Sequence, residues 1–367
     1  MKIGKTLPLL ALTVLGISSV LVLSRVCIVS AAGAAAPDTM TATPLKYDRL
    51  DASSSRIIPA GAKLEVVASG FTWTEGTVWV KDRLFFADIP ANSIYTWTPG
   101  AGVGLFLRPS GYLGSAPYGG VEPGSNGMTL DAHGRLTVAG HAQRDVYRLE
   151  SLAPNAQITI LADSYHGKRL NSPNDLVYRS DGSLYFTDPP YGLRTQLDTD
   201  PDKQLDINGV YRIPHALEQK PGSQPARAKL ELLVSDLTRP NGIAFSPDEK
   251  YLYVDNSMPR KIWMRYTVKP DGTLTDAKLL YDDTADMRPG APDGMKVDTE
   301  GNIYSAGPGG VWIFSPEGKP LATILLPGRV GNLGWGGADR KTLYIASTDN
   351  IYRVRLKIAG EPLIQHP

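Results

Sequence analysis

Residues 174–188 read NDLVYRSDGSLYFTD: an Asn, a short strand-like run, a polar turn carrying Gly182, and a second run that is almost continuously apolar up to Asp188. Val, Tyr and Phe crowd both runs and no helical period passes through them, so the stretch describes two antiparallel strands joined by a tight turn. The same pattern occurs five more times. EGTVWV at Glu75, NGMTLD at Asn126, NGIAFS at Asn241, DGMKVD at Asp293 and NLGWGG at Asn332 open the other copies, and RLFFAD, RLTVAG, YLYVDN, NIYSAG and TLYIAS continue them. Successive openers lie 51, 48, 67, 52 and 39 residues apart, the period of a radial repeat and too long for a helical solenoid. The expected fold is therefore all-β, a six-bladed β-propeller over residues 60–360, whose closure protects the edges of so many short strands. KLEVVASG at Lys63–Gly70 precedes the first copy and should complete the last blade beside TLYIAS and IYRVRL. TQLDTDPDKQLDING and HALEQKPGSQPARAK, in the longest gap, read as surface insertions.

Composition narrows the function. Of 367 residues, 38 are Lys or Arg and 37 Asp or Glu, a balance that offers no footprint for nucleic acid or an anionic membrane. The N-terminus is different in kind. Lys2 and Lys5 precede an apolar run from Leu7 to Leu23, and Ala31, Ala32, Ala34, Ala35 and Ala36 follow, the order of a secretory signal. Residues 1–36 are thus expected to be a signal peptide or an uncleaved anchor, residues 37–59 a linker and 361–367 a tail, with the mature protein secreted or periplasmic. Cys27 is the only cysteine and falls inside the leader, which excludes disulfides, thiolate zinc sites and thiol catalysis from the domain.

In a propeller the innermost strand of each blade lines the axis, so the six openers should meet at one mouth of the channel. Glu75, Asn126, Asn174, Asn241, Asp293 and Asn332 all carry side-chain oxygen, and none is His or Cys. Oxygen-only surroundings suit a hard cation such as calcium. Asn-Gly and Asp-Gly are also ordinary turn pairs, but six in register, each before an apolar run, point to a site. A second set should return to the same face at the far end of each following strand: Asp88, His141, Asp188 and Asp255. Of these, His141 is expected to act as a catalytic proton shuttle and Asp188 to face substrate. The six tryptophans are expected in blade packing, and no GxSxG nucleophile elbow is present.

The blocks EGTVW, LNSPNDLVYRSDGSLYFTDPPYG, RPNGIAFSPDEKYLYV, APDGMKVDTEGNIY and WGGADRKTLYIA resemble the gluconolactonase branch of the SMP-30/gluconolactonase/LRE family, from about Glu75 to Arg355. The resemblance implies a six-bladed propeller with one divalent cation in the channel, acting on sugar lactones or, in some relatives, organophosphorus esters. Carried over by motif, the metal ligands are Glu75, Asn174, Asn241 and Asp293, with calcium expected and Zn2+ or Mg2+ as alternatives. Asp293 would also be the catalytic base or nucleophile. Asn126 is then left for substrate, together with Lys168 and Arg169 of GKRLNSPND. Thr77 stands where family members usually have Pro, and Ser172 where some lactonases place a sugar-holding Arg. A propeller that binds calcium without catalysis is the competing expectation.

Overall fold

The burial of each strand follows its place between axis and rim. The computed structural model describes residues 41–222 and 229–363, so the leader at 1–36 and the first residues of the expected linker lie outside it. Second strands such as Arg83–Asp88, Leu184–Asp188 and Thr342–Ser347 are buried almost throughout, which is why they read as continuous apolar runs rather than alternating ones. An outermost strand such as Leu274–Asp282 is largely exposed.

Six antiparallel blades result among the described residues, each numbered here by its opener, with one two-stranded hairpin, Ser164–Tyr165 and Lys168–Arg169, outside them. Blade 1 contains Thr74–Val80, Arg83–Asp88, Ser93–Thr98 and Gly102–Leu107; blade 2, Met128–Leu130, Leu136–Ala139, Val146–Leu149 and Ile158–Ala162. Blade 3 is built from Leu176–Tyr178, Leu184–Asp188, Gly209–Ile213 and Glu231–Val234, and blade 4 from Pro240–Phe245, Tyr251–Asn256, Ile262–Val268 and Leu274–Asp282. Blade 5 runs through Met295–Val297, Ile303–Gly307, Gly310–Phe314 and Pro320–Leu325. Blade 6 joins Val330–Gly336, Thr342–Ser347 and Asn350–Arg355 to the N-terminal strand Lys63–Ser69, which pairs directly with Asn350–Arg355. The innermost strands touch in sequence around the axis and blade 6 touches blade 1, closing the all-β, six-bladed ring.

The core is divided in the same way. Six apolar clusters each fill one gap between neighbouring blades: Phe85 with Tyr147, Phe186 with Val146, Tyr185 with Val254, Trp263 with Trp312, Tyr304 with Leu333, and Trp97 with Tyr344. Trp97, Trp263, Trp312 and Trp335 are buried in these gaps, as expected of packing residues.

The segment expected to be a linker is ordered from residue 41 onward. Ala42–Pro44 adds a fifth strand to blade 6 and Tyr47–Arg49 a fifth strand to blade 5, and Ile57 and Ile58 are buried in the cluster between those blades. Three-residue strands carry too few side chains to show a period, so a Pro/Ala/Ser-containing stretch conceals them. The expected tail is also docked in part: Glu361 N–H donates to the Val297 carbonyl, and Leu363 packs against the gap between blades 1 and 2. Deleting residues up to 51 removes both fifth strands while leaving four strands in every blade. The expected result is a thermal midpoint lowered by a few degrees with an unchanged far-UV circular dichroism spectrum.

Candidate active site

Three of the openers sit at a break in strand register. Pairing slips between Glu75 and Val78, between Pro240 and Ile243, and between Val330 and Asn332, so the inner strand carries one extra residue there. In blades 2, 3 and 5 the inner strand begins after the opener, at Met128, Leu176 and Met295. In both arrangements the opener escapes the ladder alternation.

The glycines after the openers allow the blades to converge. A Cβ on Gly76 would lie 2.2 Å from the Asn126 carbonyl oxygen, one on Gly127 2.5 Å from that of Asn174, and one on Gly242 2.2 Å from that of Asp293. A Cβ on Gly294 would meet Asn332 Cγ at 2.3 Å, and one on Gly331, which precedes its opener, would meet Glu75 Oε1 at 2.4 Å. Between blades 3 and 4 the link is polar, Thr187 Oγ1 donating to the Asn241 carbonyl at 2.8 Å. The six openers therefore form one contiguous ring, and most of these glycines serve close approach rather than a turn.

Glu75, Asn126, Asn174, Asn241 and Asn332 are buried; Asp293 alone among the openers keeps partial solvent exposure. Asn332 donates its amide to Glu75, and its own Oδ1 accepts the Leu333 N–H at 2.8 Å. Asn241 Nδ2 donates to Ser257 Oγ at 3.1 Å, and Ser257 shares a hydrogen bond with Tyr191. That chain commits the amide nitrogen and leaves Asn241 Oδ1 buried without a protein partner; Asn126 Oδ1 is in the same condition.

Two further carboxylates crowd the ring from below. Asp175 pairs with Lys296 Nζ at 3.7 Å, and Asp255 accepts the Gly242 N–H at 3.0 Å and Ser305 Oγ at 3.3 Å. Burial, and after it the negative charge of Asp175, pushes Glu75 up to about 8. Asp293 is raised well above its ordinary range by burial and then by Glu75 and Asp255. Partnerless buried amide oxygens beside carboxylates that repel one another are the donor set of a hard divalent cation, so the residues present fit one. Asn241 supplies one such oxygen beside Glu75 and Asp293, and with Asn174, the neighbouring opener, these are the residues that would hold the ion. Among the described residues no three His, Cys, Asp or Glu side chains gather as a metal site, so a cation here would depend on the Asn amide oxygens as well as the carboxylates.

Several expected residues have other work. Asp188 is fully buried, and its two oxygens accept the Asn171 and Ser172 N–H groups at 2.8 and 2.7 Å, bracing the loop that delivers Asn174 instead of facing substrate. Asp88 does the same for Thr72 and Trp73 before Glu75. Lys168 and Arg169 lie on an exposed hairpin; Lys168 pairs with Asp206, and Arg169 donates to the Gln143 carbonyl. Ser172 Oγ donates to the Pro189 carbonyl at 2.5 Å and accepts the Gly192 N–H at 2.8 Å, tying two loops together where a sugar-holding Arg was sought. His141 is wholly buried with both ring nitrogens engaged, so its imidazole does not reach the channel itself.

Two residues on the mouth were not found from the sequence. Tyr191, in the PPYG turn after Asp188, is raised to about 12 by burial, with the Asp293 charge contributing. Glu122, on the loop between blades 1 and 2, contacts His141. That loop crosses to the blade 3 insertion, where Tyr118 donates its hydroxyl to the Gly192 carbonyl and Gly120 abuts Arg194.

Fold and site together define a six-bladed propeller with a ring of oxygen-bearing side chains where its innermost strands converge. Residues 73–349 match the family described as SMP-30/Gluconolactonase/LRE-like region, and the chain belongs to that family. It is 40% identical to a gluconolactonase of Zymomonas mobilis over 322 residues, covering 85% of each chain. A solved gluconolactonase structure from Xanthomonas campestris superposes with a TM-score of 0.70 at 28% identity, covering 91% of this chain and all of that one. The calcium-binding protein regucalcin of Agrobacterium tumefaciens, at 17% identity and a TM-score of 0.62, covers 82% of this chain and 97% of its own and shares the fold.

Proposed function

We propose that the chain is an exported, calcium-dependent sugar lactonase that opens an aldonolactone to the aldonic acid. The observation that carries the reading is the ring that holds Glu75 and Asp293 within electrostatic reach of each other and includes Asn241 Oδ1, a buried acceptor with no protein donor. The lactone is supported by the gluconolactonase relatives, and export by the charged, apolar and small-residue order of residues 1–36.

Glu75, Asn174, Asn241 and Asp293 would hold the cation, which when bound supplies a Lewis acid for the lactone carbonyl. Asp293, the partly exposed opener, accepts a proton from the water that attacks the carbonyl carbon, or attacks that carbon itself. Asn332 holds the Glu75 carboxylate in place, and the Ser257–Tyr191 chain holds the Asn241 amide. Asn126, next in the ring, is assigned to the substrate.

The test is hydrolysis of glucono-1,5-lactone, followed by pH change, with chelator-treated protein before and after calcium is added. Turnover restored by calcium is the expected result. Calcium binding without turnover would instead favour a non-catalytic propeller.

A further inference from the structure

Glu122 and His141 form a pair that the ring of openers does not include. His141 Nε2 lies 2.8 Å from Glu122 Oε2, and Nδ1 lies 3.2 Å from the carbonyl oxygen of Pro173, the residue before Asn174. A carbonyl only accepts, so Nδ1 carries a proton. The contact between Nε2 and the carboxyl oxygen then needs one more proton, held either as imidazolium with carboxylate or as imidazole with carboxylic acid. In both forms the pair stores one transferable proton.

Exposure separates the roles of the two. The His141 side chain is 0% exposed and the Glu122 side chain 21%, so Glu122 is the member that meets solvent. It lies within electrostatic reach of Glu75, Asp293, Tyr118 and Tyr191, which places it beside the ring of openers. His141 is also held at φ +28°, an unfavourable conformation for a residue with a side chain, and such strain persists where the surroundings fix a functional geometry.

We propose that Glu122 is the general acid of the lactonase reaction, giving its proton to the ring oxygen as the acyl carbon–oxygen bond breaks, with His141 as the positioning residue that orients and reloads it. This rests on the lactonase reading. Water adds its oxygen to the carbonyl carbon and loses a proton to Asp293; the electron pair of the breaking bond goes to the ring oxygen, which takes the proton from Glu122. The product is one hydroxy acid, and the two side chains return to their starting states by proton exchange with solvent. No other reactant is consumed.

An acid of this kind matters when the leaving oxygen is a poor leaving group and much less when it departs unaided. Glu122→Gln keeps the shape of the side chain and removes the proton. The expected result is a kcat lowered by about 100-fold on an aldono-1,5-lactone, with KM nearly constant and a several-fold smaller loss on the corresponding thiolactone. Glu122→Asp should recover part of the activity, and His141→Gln should lower kcat in the same substrate-dependent way. An unchanged kcat in Glu122→Gln, or equal losses on lactone and thiolactone with Glu122→Asp no better, would overturn the proposal. A wild-type protein inactive on both substrates in calcium would overturn the lactonase reading first, and this assignment with it.

Discussion

Asp293→Asn is expected to lower kcat/KM on an aldonolactone by about 10²–10⁴-fold, the contribution usual for a general base, and added calcium is not expected to restore it. Asp293 is the opener with solvent contact, and Gly294 N–H already donates to its Oδ1 at 3.1 Å, which holds the carboxylate at the mouth rather than turned into the wall. Replacing it with Asn preserves volume and one oxygen but removes the group that takes the proton. Glu75→Gln is the informative companion. Glu75 is buried, held by the Asn332 amide and confined by Gly331, so its expected role ends at holding the cation. Its substitution should weaken calcium affinity and leave a kcat that recovers at high calcium. Steady-state kinetics over a calcium titration separate the two variants. If both recover equally, Asp293 is a ligand and nothing more; if Asp293→Asn keeps full activity, the mechanism has another base.

What the sequence made legible was what repeats. An opener, an inner strand and a buried second strand recur at each blade, so the six-bladed ring, the closing strand at Lys63–Ser69 and the column of openers could be read without coordinates. The reason for the Asn-Gly and Asp-Gly pairs was harder to see, because local turn chemistry explains one such pair as well as close packing between blades does. Gly127, Gly242 and Gly294 are explained by the atom each would strike on the next blade, a contact between residues far apart in the chain. Glu122 has no counterpart in the other blades and lies on an irregular loop, so no period could reveal it. Asp188 illustrates the opposite failure. Its place at the end of the second strand was read correctly, though in blade 4 the equivalent residue is Asn256 and not the expected Asp255; that position serves to cap the N–H groups of an incoming loop, as Asp88 does in blade 1 and Asn256 does for Arg239 in blade 4.

Stability should depend on pH and on calcium together. Glu75 ordinarily ionises at 4.5 and is pushed up to about 8 in the folded, cation-free protein, by burial first and by Asp175 second. Between those values the folded chain keeps a proton that the unfolded chain releases, so stability is undiminished below about pH 4.5 and is lost as pH rises through about 8. Asp293, raised by burial and by Glu75, adds to the loss in the same direction. The penalty is on the order of a few kcal/mol once Glu75 must ionise beside its neighbours. A divalent cation removes that penalty by replacing the protons, and its binding must therefore release them and strengthen as pH rises. At calcium about 100-fold above its dissociation constant, the gain is about 2.7 kcal/mol. The expected measurement is a calcium-induced rise in thermal midpoint that is near zero at about pH 5 and largest at about pH 8 and above. Glu75→Gln should flatten the pH dependence of the chelated protein and reduce the rise. A calcium effect of the same size at every pH, or one untouched by Glu75→Gln, would mean that the ion binds elsewhere and that the ring of openers is held together by its own hydrogen bonds.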